Sequence, residues 1–400
     1  MNLNFKGKRA LIRVDFNVPL GPDGNILDDT RIVKSLPTLQ HILDQGGSVI
    51  LMSHLGRPLS KLNEDGSIQV NKFTLKHLVD PLKSLLGREV FFAPDCAGDE
   101  AARLALGLRP GEVLLLENTR FYAGETKGDR QLAEKLAGLG HIFVNDAFGA
   151  AHRAHSSTAI VADFFTRENK TLGFLMRDEI ENANRVMYSP ARPLTAILGG
   201  AKVSDKIQLI SRLIEKANTL IIGGGMAYTF MKAKGGETGN SLLEENFIEL
   251  AKELLDQARK ENVEILLPED SRCAAEFSND AEVKIYNSDA IPAGWMGLDI
   301  GPKAEKAFND AILKSGTILW NGPLGVFEFD HFSKGTFTIA ACVAEATKNG
   351  AYSLIGGGDS VAAINKAGLA DEVSFISTGG GAMLEYLEGK KLPGIAAIES

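Results

Sequence analysis

The sequence predicts an α/β protein with two Rossmann-like domains, each a parallel sheet with helices on both faces, joined by an interdomain helix. The chain has 400 residues, which suits two domains of ordinary size. Short apolar runs rich in β-branched residues alternate with amphipathic helical patterns, as in βαβ units. These runs are apolar throughout, which is typical of strands covered on both faces.

Each predicted strand is followed by a glycine or polar turn and then by a helical stretch. In the first half the strands are residues 10–14, 48–52, 113–116 and 142–144. In the second half they are residues 195–198, 219–222, 265–267, 317–320, 353–355 and 375–376. Residues 244–260 illustrate the helices between them, because Phe247, Leu250 and Leu254 fall on one face.

A helix is expected to connect the two halves. Residues 175–187 have a helical pattern that Pro190 and Pro193 end. The turns before this helix are rich in Arg and His, whereas those after it are rich in Gly. We therefore expect an N-terminal domain over residues 1–174, an interdomain helix over 175–189 and a C-terminal domain over 190–389.

Composition narrows the class of protein. The net charge of −8 argues against nucleic acid or an anionic membrane as a partner. Cys96, Cys273 and Cys342 are far apart and odd in number, which indicates a reducing compartment. The first residues carry charge where a signal peptide needs an apolar run, and no stretch is long enough to span a membrane. We expect a cytoplasmic enzyme.

Glycine-rich turns follow strand after strand in the second half. They are Gly199-Gly200, Gly223-Gly224-Gly225, Gly322, Gly356-Gly357-Gly358 and Gly379-Gly380-Gly381. One such turn can serve packing alone, but their recurrence favours backbone that approaches a phosphate at a helix N-terminus. None matches G-x-x-x-x-G-K-[ST] or a clear G-x-G-x-x-G, which argues against a P-loop enzyme and a nicotinamide dehydrogenase.

Charged residues beside these turns have two interpretations each. Lys202 and Lys206 are four apart where a helix is expected to begin, so they would share a face and could neutralise a phosphoryl group. The alternative is a solvated helix face. Asp359 follows three glycines and could hold Mg²⁺ that bridges nucleotide phosphates. The alternative is an N-cap.

In the first half, arginine or histidine recurs at or after the ends of several predicted strands, with Asp15 and Asn17 beside the first of them. The residues are Arg13, Asp15 and Asn17; Arg31; His54 and Arg57; Arg120; and His152, Arg153 and His155. Guanidinium groups bind carboxylate and phosphate bidentately, so this recurrence predicts a site for a small, multiply anionic metabolite. A metal site at His152 and His155 is disfavoured, because no carboxylate or thiolate completes a ligand set at the usual spacing.

Over essentially the whole chain these stretches closely resemble the phosphoglycerate kinase family. The specific matches are RVDFNVP at 13–19, SHLGRP at 53–58, HRAHSS at 152–157, GGAKVSDK at 199–206, WNGP at 320–323 and GGGDS at 356–360. The resemblance implies reversible transfer of a phosphoryl group between 1,3-bisphosphoglycerate and ADP, which gives 3-phosphoglycerate and ATP in glycolysis. It also implies Mg²⁺ as Mg-ATP or Mg-ADP, and we expect a monomer.

The resemblance also implies roles for individual residues. Those that would hold 3-phosphoglycerate are Asp15, Asn17, Arg31, His54, Arg57, Arg120 and Arg153, with His152 and His155 in support. Those that would surround the nucleotide are Lys202, Lys206, Gly225, Gly297, Asn321, Pro323, Glu328, Gly357, Gly358, Asp359 and Ser360. Glu328 is expected on the ribose, and Ser360 stands where relatives often carry Thr. The tail, residues 390–400, is expected to pack on the N-terminal domain.

The chemistry expected is in-line phosphoryl transfer after domain closure, without a covalent enzyme intermediate. Arg31, Lys202, Mg²⁺ and the backbone at Gly379 and Gly380 would neutralise the transferring group. Both possible acceptors are already ionised near neutral pH, so no general base is needed. Another acyl-phosphate kinase and a non-catalytic nucleotide-binding protein are the alternatives.

Overall fold

The structure is a computed structural model that describes Met1 and residues 3–400. It contains two compact units. The N-terminal unit comprises Met1–Ile180 and Lys390–Ser400, and the C-terminal unit comprises Glu181–Gly389. The boundary between them falls inside the helix Phe174–Tyr188, which the sequence predicts as the connector.

The elements follow in chain order. The first half contains β1 (Arg9–Val14), α1 (Thr30–Asp44), β2 (Ser48–Met52), α2 (Val70–Phe73), α3 (Val79–Leu86), β3 (Val90–Ala93), α4 (Asp99–Gly107), β4 (Val113–Leu116), α5 (Arg130–Ala137), β5 (Ile142–Asp146), β6 (Lys170–Leu172) and α6 (Phe174–Tyr188). The second half contains β7 (Leu194–Leu198), α7 (Ile207–Ile214), β8 (Thr219–Ile222), α8 (Met226–Ala233), β9 (Glu237–Thr238), α9 (Ile248–Lys260), β10 (Glu264–Leu266), β11 (Asp270–Ala274), β12 (Lys284–Asn287), β13 (Ala290–Ile291), β14 (Met296–Ile300), α10 (Pro302–Ile312), β15 (Thr317–Asn321), α11 (Lys334–Lys348), β16 (Tyr352–Gly356), α12 (Gly358–Lys366), β17 (Phe375–Ile376), α13 (Gly381–Leu387) and α14 (Pro393–Glu399).

The N-terminal unit is built on a six-stranded parallel sheet of order β3-β4-β2-β1-β5-β6. Successive residues of β1 face opposite sides of the sheet, so Ile12 packs with residues of α1 and α3 while Leu11 packs with residues of α4 and α5. Both faces are therefore buried, which explains the uniformly apolar strands. The edge strands β3 and β6 are missing from the sequence prediction. β6 has the largely polar sequence Lys-Thr-Leu, and Phe91 in β3 is exposed.

The C-terminal unit has a second six-stranded parallel sheet, of order β10-β8-β7-β15-β16-β17. Ile197 and Trp320 lie in a core with residues of α10, α11 and α12, while Leu198 and Leu319 point to the other face and are also fully buried. The two parallel sheets with helices on both faces confirm the predicted fold class.

Two small sheets in the C-terminal unit have no counterpart in the sequence prediction. β12, β11 and β14 form an antiparallel sheet, and β13 pairs with β9. The sequence of β11, Asp-Ser-Arg-Cys-Ala, lacks an apolar run, yet all of its residues are buried. Its polar groups have protein partners: Asp270 accepts from the amides of Lys303 and Ala304 at the start of α10, and Arg272 pairs with Glu305 at 2.6 Å. The burial of β11 thus depends on hydrogen bonds and ion pairs with α10 and not on a run of apolar residues.

The start of α6 is held by two buried polar residues, Asp146 at the end of β5 and Thr38 in α1. Oδ1 of Asp146 accepts from the amide of Met176 at 3.2 Å, and the hydroxyl of Thr38 accepts from the amide of Phe174 at 2.8 Å. These contacts satisfy donors that a helix N-terminus leaves free. Gly173 is required because a Cβ there would clash with the Asp146 carboxyl. Burial raises the pKa of Asp146 to about 7.

This raised pKa predicts how stability responds to pH in Asp146→Asn. The stabilising contribution of a protonated Asp146 is present below the unfolded pKa of about 4 and is lost as the pH rises through about 7. Asparagine keeps the acceptor but cannot ionise. Calorimetry should therefore show the melting temperature of Asp146→Asn, relative to the parent, increasing from pH 5 to pH 8. The exposed Asp23→Asn is the control, and a pH-independent difference for Asp146→Asn would contradict the prediction.

Candidate active site

The sheet order of the N-terminal unit brings the predicted anion-binding residues to one edge. β4, β2, β1 and β5 are neighbours and run parallel, so their carboxyl ends meet. The predicted residues lie in the segments that leave these ends. Arg120 follows β4, and His54 and Arg57 follow β2. Asp15 and Asn17 follow β1, and His152, Arg153 and His155 follow β5. Arg31 joins them from the first turn of α1. We call Arg31, His54, Arg57, Arg120, Arg153 and His155 the basic cluster.

Hydrogen bonds across the strand ends position this cluster. Gly56, in the segment after β2, donates its amide to Oδ1 of Asn17 at 2.8 Å and accepts at its carbonyl from Arg120 at 2.8 Å. β2 lies between β1 and β4, so the neighbours on both sides hold the 53–58 segment. Nη1 of Arg31 pairs with Asp15 at 2.9 Å, and the Arg31 side chain is 34% exposed. Asp15 thus orients a guanidinium that solvent can still reach.

A cavity of about 460 Å³ opens within the basic cluster. Arg57, Arg120, Arg153 and His155 line it, together with Pro58, Leu59, Ser60, Tyr122 and Thr126. No acidic side chain is among the described residues that line it. Cationic forks without a competing carboxylate favour a small anion with phosphate or carboxylate groups. Asp15, Asn17, Arg31 and His54 lie outside this lining, and Asn17 borders a separate cavity with Gly56 and Phe73.

The two buried histidines of the cluster are neutral near pH 7. Burial, followed by the charges of Arg13, Arg120 and Arg31, lowers the pKa of His54 well below its ordinary value. Burial, followed by the charges of Arg120, Arg13 and Arg153, lowers the pKa of His155 to about 4. Neither ring adds a positive charge to the arginines. Within Met1 and residues 3–400 no group of three or more His, Cys, Asp or Glu side chains could hold a metal ion.

The glycine turns of the C-terminal unit also meet at one edge. β8, β7, β15, β16 and β17 are consecutive neighbours, and each is followed by one of the predicted turns. We call this row of turns the glycine edge. It borders a cavity of about 480 Å³ lined by the predicted residues Gly225, Gly297, Pro323, Glu328 and Asp359.

Sequence reasoning missed the apolar wall of this cavity. Leu242, Phe277, Met296, Leu298, Leu324 and Val326 contribute to the lining, and Leu242 and Phe277 are 49% and 62% exposed. An exposed apolar wall beside backbone amides suits a flat, partly apolar ligand with a charged end. Leu242 and Phe277 lie in loops without periodic pattern, so no feature of the sequence distinguishes them from ordinary surface residues.

The glycines of this edge fall into two classes. A Cβ on Gly297, which lies in β14 beside the cavity, would collide with the hydroxyl of Tyr228. Within the edge itself, a Cβ on Gly199, Gly224 or Gly322 would collide with the backbone of a neighbouring turn. These glycines let the turns pack closely. A Cβ on Gly358, Gly380 or Gly381 would have no atom within 4 Å beyond the adjoining chain, so the surroundings of these three are open. The open class is the one that leaves room for a ligand.

Two helices begin at the open glycines. α12 begins at Gly358 after Gly357, whose φ of +86° favours glycine, and its first amides have no partner within the helix. Asp359 lies in the first turn and is not the N-cap, which contradicts the N-cap alternative. The hydroxyl of Ser360 accepts from the amide of Gly322. At α13 the amide of Gly379 donates to Ser377 at 3.0 Å, so Gly380 and Gly381 supply the amides still available there.

The predicted helical pairing of Lys202 and Lys206 is wrong. α7 begins at Ile207, and both lysines precede it outside any helix. The amide and hydroxyl of Ser204 bind Glu244, which draws the backbone away from a helical path. Lys206 turns inward and donates to the carbonyl of Asn321 at 2.6 Å, and burial lowers its pKa to about 8. Lys202 is exposed and has no hydrogen bond or ion pair within the described residues.

Comparisons with known proteins agree over the length of the chain. The family model of phosphoglycerate kinase matches residues 1–390. A phosphoglycerate kinase of Porphyromonas gingivalis is 48% identical, with 99% of this chain and 98% of the relative covered. One of Triticum aestivum, named cytosolic, is 50% identical, with 99% and 96% covered. The structure of phosphoglycerate kinase from Coxiella burnetii superimposes with a TM-score of 0.87 at 40% identity, covering 100% of this chain and 97% of that one. Of the helices described, none is long and apolar enough to cross a membrane.

The two glycine classes predict opposite outcomes for the same substitution. Gly224→Ala places a Cβ 2.7 Å from the backbone of Gly200 at a φ of +67°, so the free energy of unfolding should fall by about 2 kcal/mol or more. Gly358→Ala enters open space and should change it by less than about 0.5 kcal/mol. Both tryptophans, Trp295 and Trp320, belong to this unit, so their fluorescence in urea reports the transition. Equal losses in both variants would contradict the division.

Proposed function

The chain belongs to the phosphoglycerate kinase family, and from this premise we propose that the basic cluster binds 3-phosphoglycerate and that the glycine edge binds the nucleotide. Members of the family, this chain included, transfer a phosphoryl group reversibly between 1,3-bisphosphoglycerate and ADP, which yields 3-phosphoglycerate and ATP in glycolysis. The enzyme is a phosphotransferase with a carboxyl group as acceptor.

The acid-free lining of the basic cavity is the observation that most supports the proposed substrate site. Arg57, Arg120 and Arg153 offer several guanidinium forks, and 3-phosphoglycerate carries a phosphate and a carboxylate. In the proposal these arginines hold the phosphate end. Asp15, Asn17, Arg31 and His54 hold the glycerate end, where the Asp15 carboxylate accepts from its single hydroxyl. The protein has a net charge of −8, so this local positive charge is what attracts the anion.

The proposed nucleotide site extends from the apolar wall of the cavity in the C-terminal unit to the open glycines where α12 and α13 begin. Leu242, Phe277 and Val326 form the apolar wall for the base, and the exposed Glu328 reaches the ribose. The open amides at Gly358 and Gly380 face the phosphates, where the positive end of a helix favours anions. Lys206, just before α7, and Asn321, at the end of β15, support the phosphates, and the side-chain nitrogen of Asn321 is buried without a partner.

Phosphoglycerate kinases use magnesium with ATP, and the residues at the glycine edge fit a metal of this kind. The Asp359 carboxylate borders the cavity and makes no hydrogen bond or ion pair within the described residues. One carboxylate suits Mg²⁺, which keeps several waters and takes its other ligands from phosphates. We assign the metal to Asp359. When bound, Mg²⁺ neutralises charge on the phosphate oxygens.

The residues are proposed to act by placement and charge. Arg31 in the N-terminal unit, and Lys202 with the Gly380 amide in the C-terminal unit, neutralise the transferring phosphoryl group. The Gly379 amide is already committed to Ser377, so Gly379 contributes through the turn it forms and not as a donor. The accepting carboxylate or phosphate is ionised near pH 7, and no side chain has to remove a proton.

An ATP-forming assay tests the proposed function. Purified protein is mixed with 1,3-bisphosphoglycerate and Mg-ADP, and ATP is measured by a coupled reaction. ATP should form rapidly with 1,3-bisphosphoglycerate, and it should not form when acetyl phosphate is supplied in its place. Equal activity with acetyl phosphate would indicate another acyl-phosphate kinase, and nucleotide binding without turnover would indicate a binding protein.

Arg31→Ala should lower kcat far more than it raises KM for 3-phosphoglycerate. The loss of one charge that acts on the transition state predicts a fall in kcat of roughly 10²- to 10³-fold. Arg57→Ala is the matched control, because a residue that holds the phosphate end should mainly raise KM. A steady kcat with a raised KM in Arg31→Ala would make Arg31 a binding residue only.

Asp359→Asn should weaken Mg-nucleotide binding and leave 3-phosphoglycerate binding unchanged. Asparagine keeps the size and one oxygen but removes the charge that Mg²⁺ prefers, so the Kd should rise roughly ten-fold or more. Calorimetry with each ligand measures both affinities. Asp205→Asn removes another exposed carboxylate close to Lys206 and should leave them intact. Equal nucleotide affinity in Asp359→Asn and the parent would exclude the metal role.

The two proposed sites belong to separate units, so transfer requires a closing step. Reacting atoms must come within about 3–3.5 Å, and closure also excludes water. A single substrate contacts one unit and has little differential affinity for the closed state. Small-angle scattering should therefore show compaction only when 3-phosphoglycerate and Mg-nucleotide are both present. Unchanged scattering in the ternary complex would rule out closure.

A further inference from the structure

A chain of buried hydrogen bonds underlies the basic cluster and ends on His54. It runs from Glu125 through Ser157 and Arg13 to the imidazole. Glu125, Ser157 and Arg13 are 0% exposed and His54 is 6% exposed. The sequence pattern places Arg13 among the strand-end arginines that face an anion. In the structure Arg13 is fully buried and its Nε, Nη1 and Nη2 each have a protein partner, so a different role has to explain a buried charge at this position.

Each link of the chain has a defined donor. The Ser157 hydroxyl donates to Oε1 of Glu125 at 2.5 Å, and the Ser157 amide donates to Oε2 at 3.0 Å. The same hydroxyl accepts from Nε of Arg13 at 2.8 Å, while Nη1 of Arg13 donates to the carbonyl of Val14. The Ser157 hydroxyl, itself held by the Glu125 carboxylate, and the Val14 carbonyl therefore hold the guanidinium in one orientation, with Nη2 left for His54.

The remaining contact determines where the His54 proton lies. Nη2 of Arg13 is 3.0 Å from Nδ1 of His54. A guanidinium can only donate, so Nδ1 must present its lone pair, and the proton of the neutral ring is on Nε2. Asp15 is the group that would favour a proton on Nδ1, but its nearest oxygen is 4.0 Å away, beyond hydrogen-bond distance. Nε2 has no hydrogen-bond partner within Met1 and residues 3–400.

We propose that Arg13 is a positioning residue, which holds His54 as the neutral ring with its proton on Nε2, so that His54 meets an anionic substrate as a hydrogen-bond donor and not as a cation. The role assumes the proposed function of His54 in binding 3-phosphoglycerate. The charged or titratable groups around the ring are Arg13 and Asp15 from β1 and its end, Arg31 from α1, Arg120 after β4 and His155 after β5. The three arginines oppose a positive ring near pH 7, and among the described residues only Arg13 is within hydrogen-bond distance of it.

The first test is the state of His54 in the whole enzyme, measured by NMR of ring nitrogens in ¹⁵N-histidine-labelled protein and assigned with His54→Gln. We expect a non-protonated Nδ1 and a protonated Nε2 from pH 6 to pH 8. A protonated Nδ1, or an imidazolium that forms within this range, would overturn the proposal. The result does not depend on any ligand, so it stands even if 3-phosphoglycerate fails to bind the parent, an outcome that would refute the proposed function instead.

The second test removes the contact. Arg13→Met deletes the donor and its charge, so the midpoint of His54 protonation should rise by roughly one pH unit or more. The ratio of the KM for 3-phosphoglycerate in this variant to that in the parent, which cancels the ionisation of the substrate phosphate, should then change over the pH range in which the spectra show His54 to titrate in the variant. Arg13→Lys keeps the charge and should restore most of the low midpoint. Arg9→Met, on the same strand with its guanidinium bound to the carbonyl of Leu139, is the control.

A His54 midpoint in Arg13→Met equal to that of the parent would refute the positioning role. If Arg13→Met does not fold, Arg13→Lys and Ser157→Ala provide the comparison. Ser157→Ala frees the guanidinium from Glu125, and its ring-nitrogen spectrum should show His54 protonation at a higher pH than in the parent. A merely structural role for Arg13 would lower stability in these variants without changing the state of the His54 ring.

Discussion

Parallel strand pairing is the constraint on which the rest of this protein depends. In each main sheet all strands run the same way, so their carboxyl ends lie at one edge. The segments that follow the strands are therefore close together in space. The N-terminal unit uses this edge for arginines and histidines, and the C-terminal unit uses it for glycine turns and helix N-termini. The pairing of β1 with β2 is an example. It brings Asp15, Asn17, His54 and Arg57 to the same edge, although up to 42 positions separate them in sequence.

In the proposed function, the two edges bind anions in an acidic protein by different physical means. The N-terminal unit uses full charges on guanidinium groups, which remain cationic even when half-buried because their pKa is so high. The C-terminal unit uses the partial charges of free amides, which need no counter-ion and no side chain, and therefore require glycine where a Cβ would fill the space. Gly358 and Gly380 have that open space, whereas Gly224 and Gly322 are needed for the packing of the turns themselves.

Buried polar groups set the finer geometry in both units. Asn17 and Arg120 hold Gly56 from its two neighbouring strands, Asp146 and Thr38 hold the start of α6, and Glu244 holds Ser204 in front of α7. Each contact satisfies a donor that would otherwise be costly to bury. The chain from Glu125 to His54 belongs to the same class, and in the proposal it converts a buried charge into control of where one imidazole proton lies.

The sequence by itself determined the fold class, the approximate place of most strands of the two main sheets and the residue types at the two edges, because uniformly apolar runs and strand-end glycines are local features. The family followed from the motifs that these features share with known proteins. Only the tertiary structure decided the rest. The small antiparallel sheet around β11 depends on partners distant in sequence, and the turns that carry Lys202 and Lys206 depend on Glu244. Leu242 and Phe277 belong to a cavity only because separate loops meet there, and Arg13 resembles a ligand-binding arginine until burial shows that its neighbours are protein atoms. In each of these cases the deciding contact joins residues that are far apart in the chain, and no local pattern encodes it.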